Sequence, residues 1–194
     1  MMPKPRLKSA TMIGGASPEH NRAESDFYPT PPECTVALLK EFDYMLDGPV
    51  WEPACGDGAI SKVLIQRRQA VYSTDLRTDS GYGIGGINAL THSPEMRIRS
   101  VITNPPFNLA VEFIWRLRAM RVPFALLLKS TFWHAKSRAD LFDSTGPQAV
   151  CPMLWRPNFA PDRGSSPTMD VCWAVWGADP TPVCRYVLLE RPTL

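Results

Sequence analysis

Residues 122–129, VPFALLLK, make an almost unbroken apolar run. Such a run is too short to cross a bilayer, and too continuous for a strand with one face in water. A parallel strand buried on both faces fits it. Parallel strands need long crossovers, usually helical, so this one segment points to an α/β architecture.

The rest of the chain follows that plan. From Pro32, PECTVALLKEFDYML carries Val36, Leu39, Phe42 and Leu46 at helical spacing. GPVWEPA (48–54) predicts a short buried strand ending in a turn, CGDG, and AISKVLIQRRQ an amphipathic helix with Ile60, Val63 and Leu64 on one face. AVYSTDL (70–76) and SVITN (100–104) predict two more strands, the latter stopped by Pro105–Pro106. Asn108 is a candidate cap for a helix whose apolar stripe is Leu109, Phe113, Ile114 and Leu117. A helix around 135–143 follows, then strands at 148–155 and 169–177 separated by RPNFAPDRGSSPT, with CRYVLLER (184–191) as a candidate edge strand. Strands alternating with helices predict a mostly parallel sheet with helices on both faces. The late pair has no helix between its members, which predicts an antiparallel hairpin at one edge. Residues 1–25, rich in Pro, Ser, Gly and charge, are expected to form a flexible arm, and 26–194 a single domain.

Composition removes several classes. The basic N-terminus lacks the apolar core of a secretory signal, and no run is long enough for a transmembrane helix, so a cytoplasmic protein without a membrane partner is expected. The five cysteines form no CxxC pair and the three histidines lie far apart, which predicts reduced thiols and no metal site. A net charge of +2 does not announce nucleic-acid binding. Arginines do cluster at 67–68, at 97 and 99, and at 116, 118 and 121, and the arm carries Lys4, Arg6 and Lys8; each group reads first as a solvated face, with a phosphate contact as the alternative.

Two features carry chemistry. WEPACGDGAIS lies between a predicted strand and a predicted helix, with Gly56 and Gly58 placed for a tight turn. Asp75 ends the next strand 19 positions after Gly56, close to the spacing of an acid that accepts from ribose hydroxyls. Glu52 before the turn would repel a pyrophosphate and suits a cationic amino-acid moiety instead. The second feature is Asn104–Pro105–Pro106–Phe107, at the end of a strand. An amine conjugated to an aromatic ring is a poor nucleophile because its lone pair is delocalised. The Asn104 side-chain oxygen and the Pro105 carbonyl can accept its two N–H bonds and localise that pair toward an electrophile. Pro105 and Pro106 stiffen the corner, and Phe107 can stack on the ring.

EPACGDG, Asp75 and NPPF, in that order, resemble the S-adenosylmethionine-dependent amino-methyltransferases, in particular the small DNA adenine-N6 enzymes of phages and prophages. The resemblance covers about residues 26–177. It implies a seven-stranded Rossmann-like sheet with a reversed last strand, S-adenosylmethionine as cofactor and DNA as substrate. It also implies cofactor contacts from Tyr28, Thr30 and Pro31 in DFYPTPP, with Glu52, Pro53, Ala54 and Gly56 around the methionine part. Asp75 would hold the ribose, Leu76 would pack on the cofactor's adenine, and Asn88 would meet its amino group. Phe132 or Trp133 would border a flipped base, and Arg138 would reach phosphate or face water, whereas Trp155, Trp173 and Trp176 read as packing. Sequence-specific members carry a separate target-recognition domain, for which 26–194 leave no room. The arm and the 77–87 and 156–169 loops are then the segments available to touch DNA.

Other planar amines suit the same corner, so an RNA base or a protein glutamine is an alternative acceptor. A catalytically silent cofactor- or nucleic-acid-binding module is a third reading. Cytosine-C5 chemistry needs a nucleophilic cysteine, usually after proline, and no Pro-Cys pair occurs. Monomer and dimer both stay open.

Overall fold

A computed structural model describes residues 28–160 and 169–193. The expected arm, Asp26–Phe27 and the middle of the 156–169 loop lie outside the described residues.

Seven strands form one sheet: β1 (Val50–Glu52), β2 (Val71–Ser73), β3 (Ser100–Thr103), β4 (Phe124–Lys129), β5 (Ala149–Pro152), β6 (Val171–Trp176) and β7 (Arg185–Tyr186). Their order is β2-β1-β3-β4-β6-β5-β7, and only β6 runs against its neighbours, β4 and β5. The sheet is thus Rossmann-like and mostly parallel, as expected, with the hairpin toward one end. The short strand β7 pairs in parallel with β5 outside it.

Side-chain alternation splits the core between two faces. Ala125 and Leu127 of β4 and Trp173 and Val175 of β6 pack with helices α1 (Pro32–Glu41) and α2 (Ala59–Gln66). Phe124, Leu126 and Leu128, with Ala174 and Trp176, pack with α3 (Ala110–Ala119) and α4 (Ala139–Thr145). The apolar run that predicted a two-faced strand therefore feeds both layers. Phe124 and Trp176 stack with ring centroids 4.8 Å apart. Each fully buried tryptophan finds an acceptor: Trp51 donates to Thr74 Oγ1, Trp173 to the Cys34 carbonyl and Trp176 to the Thr145 carbonyl.

Helix starts differ from expectation in two places. The helix expected around 135–143 begins only at Ala139, after a 3₁₀ turn at Lys136–Arg138. Asn108 does not cap α3; its N-cap is Leu109, with no side-chain cap bond. The double proline forces a tight 3₁₀ turn, Phe107–Leu109, in which the Leu109 N–H donates to the Pro106 carbonyl at 2.9 Å, and the helix begins only after it. Between β2 and β3 no helix forms. The glycine-rich loop instead folds back on the end of β2, where Ile84 donates to Ser73 and accepts from Asp75, and Ile87 donates to Asp75. Among the described residues no helix is long and apolar enough to cross a membrane.

Candidate active site

The strands β2, β1, β3 and β4 run parallel, so their carboxyl ends open on one side. The chain leaves β1 for β2 on one flank and then crosses to β3 on the other. That reversal leaves a crevice where open α/β sheets bind ligands. A cavity of about 860 Å³ occupies it, bordered by Glu52, Asp75, Asn104 and Lys129 from the ends of the four strands.

At the β1–β2 end the polar groups are buried and tied to backbone. Asp75 Oδ2 accepts the Gly56 N–H at 2.8 Å, while Oδ1 accepts the Arg77 N–H at 2.8 Å and Arg77 Nε at 3.2 Å. Glu52 Oε2 accepts the Ser61 N–H at 2.8 Å and the Ser61 hydroxyl, which also meets Ser73 Oγ at 2.6 Å. Burial pushes the Glu52 carboxyl up to about 8 despite the Ser61 hydrogen bonds, and Asp57 and Asp75 add to the rise. Cys55 packs its thiol against the Tyr82 carbonyl at 3.4 Å, and burial pushes it up to about 12, which suits packing and not nucleophilic attack.

At the β3–β4 end, Asn104 Nδ2 donates to the Tyr28 carbonyl at 3.1 Å and to Thr30 Oγ1 at 3.2 Å. A carbonyl only accepts, so these bonds fix which way the amide points. Among the described residues no donor reaches Asn104 Oδ1, which remains an acceptor on the cavity wall. Phe107 stacks with Tyr28 at a centroid separation of 6.1 Å, and Lys129 Nζ sits 4.4 Å from the Phe107 ring centre. Phe159 meets Tyr28 edge-on at 6.3 Å.

Of the residues singled out from sequence, Tyr28, Thr30, Glu52, Pro53, Ala54, Asp75, Leu76, Asn88, Asn104, Pro106 and Phe107 border this one cavity. Three do not. Pro31 is the N-cap residue of α1, and its carbonyl accepts the Cys34 N–H. Gly56 is buried, with its N–H spent on Asp75. Pro105 is buried and does not border the cavity, while Asn104 does. Gly58 has a φ of +81°, and a Cβ there would lie 2.6 Å from the Tyr82 ring. Asn88 is exposed, and its Oδ1 accepts the Leu90 N–H at 3.0 Å.

Phe132 and Trp133 stand away from the cavity. Phe132 is buried beneath Arg138, whose guanidinium lies 4.4 Å from the ring centre and donates to the Phe132 carbonyl, and Trp133 Nε1 points to Cys172 Sγ. Trp173 and Trp176 are core residues, as read from sequence, and Trp115 is 46% exposed. Sequence reasoning passed over Lys129, Arg77 and Asn108, which also border the cavity. The signal for Lys129 was present: it is the polar end of a two-faced apolar strand, where ligands of such sheets bind.

No protein-family model matches the chain, and no curated protein does. Solved structures do resemble it. A modification subunit of a provisionally assigned type I restriction enzyme from Vibrio vulnificus superposes with a TM-score of 0.60 at 13% identity, over 88% of this chain and 48% of that one. A protein provisionally assigned as a class I S-adenosylmethionine-dependent methyltransferase from Listeria monocytogenes gives 0.58 at 13% identity, over 84% and 66%. One provisionally assigned as an RNA methyltransferase from Pyrococcus horikoshii gives 0.59 at 11% identity, over 81% and 88%. The chain spans about half the length of the restriction subunit. At these identities the likeness establishes the fold: a Rossmann-like sheet of the kind these methyltransferases use.

Proposed function

We propose that the chain is an S-adenosylmethionine-dependent methyltransferase acting on an exocyclic amine, with adenine N6 in DNA as its acceptor. The observation that carries this is the pinned Asn104 amide. Its N–H groups are held by Tyr28 and Thr30, no donor among the described residues meets its oxygen, and Asn104 borders the same cavity as Asp75 and Glu52.

The residues present fit the cofactor. A cavity of about 860 Å³ lies within the usual range for small-molecule sites and has space for a nucleoside beside a second ring. Asp75 has acceptor capacity left for ribose hydroxyls, since each carboxylate oxygen takes more than one donor. A cationic amino-acid portion would draw the raised Glu52 carboxyl into its ionised form, which then supplies the opposing charge. Leu76 is 62% exposed at the cavity, as a surface for a flat apolar ring. When bound, S-adenosylmethionine supplies a methyl group already activated on a positively charged sulfur.

The chain's own task is then to prepare the amine. Asn104 Oδ1 accepts one N–H and draws the nitrogen lone pair out of conjugation with the ring. The Tyr28 and Thr30 bonds keep that oxygen aimed, so no reorganisation is needed as the reaction proceeds. Phe107 and Tyr28 offer aromatic faces beside the acceptor. Holding both partners in one cavity supplies the remaining acceleration through proximity. An adenine must leave the duplex stack to arrive there, so single-stranded or mismatched DNA should be the better substrate.

Transfer of a radiolabelled methyl group from the cofactor to DNA, RNA and a protein mixture, followed by identification of the labelled base or residue, tests the reading. N6-methyladenine in DNA is the expected product. Label confined to RNA or to glutamine would overturn the DNA acceptor, and cofactor binding with no transfer to any of them would favour the silent binding module.

A further inference from the structure

We infer that Lys129 is a positioning residue that grips the backbone phosphate of the target nucleotide. This inference rests on the nucleic-acid reading above and narrows it, because it requires the acceptor to carry an anion.

The charges around the cavity are segregated. Glu52, Asp57 and Asp75 belong to the β1–β2 end, and the Arg77 guanidinium there is paired with Asp75 at 3.2 Å. Lys129 ends β4, at the side of Asn104 and Phe107. Among the described residues no carboxylate, carbonyl or hydroxyl holds its ammonium, which lies 4.4 Å from the Phe107 ring centre. An ammonium resting on a ring face gains attraction from the ring but no hydrogen-bond acceptor there. Its three donors therefore remain available to an incoming anion.

The place of that cation selects the kind of acceptor. A glutamine side chain brings no negative charge to the acceptor end, whereas a nucleotide brings a phosphate one sugar away from its base. A base stacking on Phe107 takes the ring face from Lys129. The flexible lysine stem then delivers the ammonium to the phosphate, exchanging a ring contact for a charge-assisted hydrogen bond. Lys129 in this role touches neither the reacting nitrogen nor the methyl group, so its loss should fall on binding of the nucleic acid and spare the chemical step.

The experiment pairs Lys129→Gln and Lys129→Arg with a short single-stranded oligonucleotide holding one adenine, either unmodified or with a neutral methylphosphonate 5′ or 3′ to that adenine. Anisotropy of the labelled oligonucleotide over a salt series reads binding, and steady-state kinetics reads the split between KM and kcat. With Lys129→Gln, oligonucleotide affinity should fall roughly tenfold and the salt slope by about one, with KM rising in step and kcat holding. Lys129→Arg should recover most of the loss, and one methylphosphonate should weaken wild type but not Lys129→Gln. An unchanged salt slope in Lys129→Gln, a loss in kcat at constant KM, or an equal methylphosphonate penalty in both proteins would overturn the role of Lys129 while leaving the methyltransferase reading intact. If wild type neither binds nor methylates the oligonucleotide, the nucleic-acid reading itself falls, and Lys129 falls with it.

Discussion

At the β1–β2 end of the cavity the polar groups are buried and closed by hydrogen bonds to backbone near 2.8 Å; at the β3–β4 end they are half-exposed and lean on aromatic rings about 6 Å apart. The first end is set before any ligand arrives. The second holds one fixed group, the Asn104 amide, among side chains that can shift. A rigid pocket suits a ligand that never varies, and a yielding one suits a base that must be drawn out of a polymer and released again.

Substitutions can break that contrast. Asn104→Ala should lower kcat by about a hundredfold, the usual effect of losing one aimed polar group, while cofactor affinity by calorimetry stays near wild type. If affinity fell in proportion, Asn104 would belong to the cofactor end and the division would be wrong. Asp75→Ala should do the reverse. It removes a ribose acceptor and orphans the buried Gly56 N–H, so cofactor affinity should drop roughly thirtyfold and stability by about 1–3 kcal/mol. Unchanged affinity would refute the ribose contact.

Glu52 sharpens the comparison through pH. Its carboxyl is raised by burial to about 8, so the folded chain holds a proton there that the unfolded chain gives up in the ordinary carboxylate range. Stability of the ligand-free protein should fall as pH rises through that window, and Glu52→Gln should flatten the slope in denaturant titrations. A cationic ligand favours the ionised form, so wild-type cofactor affinity should climb as pH approaches 8 and that of Glu52→Gln should not. The smallest effects belong to the turn glycines. Gly58→Ala combines a left-handed φ with a clash against Tyr82, and should cost about 1–3 kcal/mol in thermal melts. Gly81→Ala has a similar φ and nothing within 4 Å, and should cost about 1 kcal/mol or less.

What could be read from sequence follows the physics of each segment. VPFALLLK, SVITN and MDVCWAVWG are short runs buried on both faces, and burial leaves its mark on composition. Asp75 and Asn104 were legible because a strand end places them and their chemistry is distinctive. The start of α3 was not, since the Pro105–Pro106 corner imposes a turn that overrides the capping preference of Asn108. Gly56 and Pro105 are buried and do not border the cavity; which residues of a turn line a cavity is set by partners distant in sequence, such as Asp75 and Tyr82. The place of Lys129 at the polar end of an apolar run was legible, but its contact with Phe107 was not, since only the sheet brings the two together.

The reversed strand β6 has a consequence for how the protein must be made. A ribosome delivers β4 long before Val171–Trp176, the segment that covers its second flank. Until synthesis reaches that point, one edge of a strand apolar up to its last residue stays open to any other extended chain nearby. Cells that express this protein therefore face a window of vulnerability during translation, and a premature stop between β5 and β6 should send the fragment to inclusion bodies or proteases instead of to a smaller folded domain.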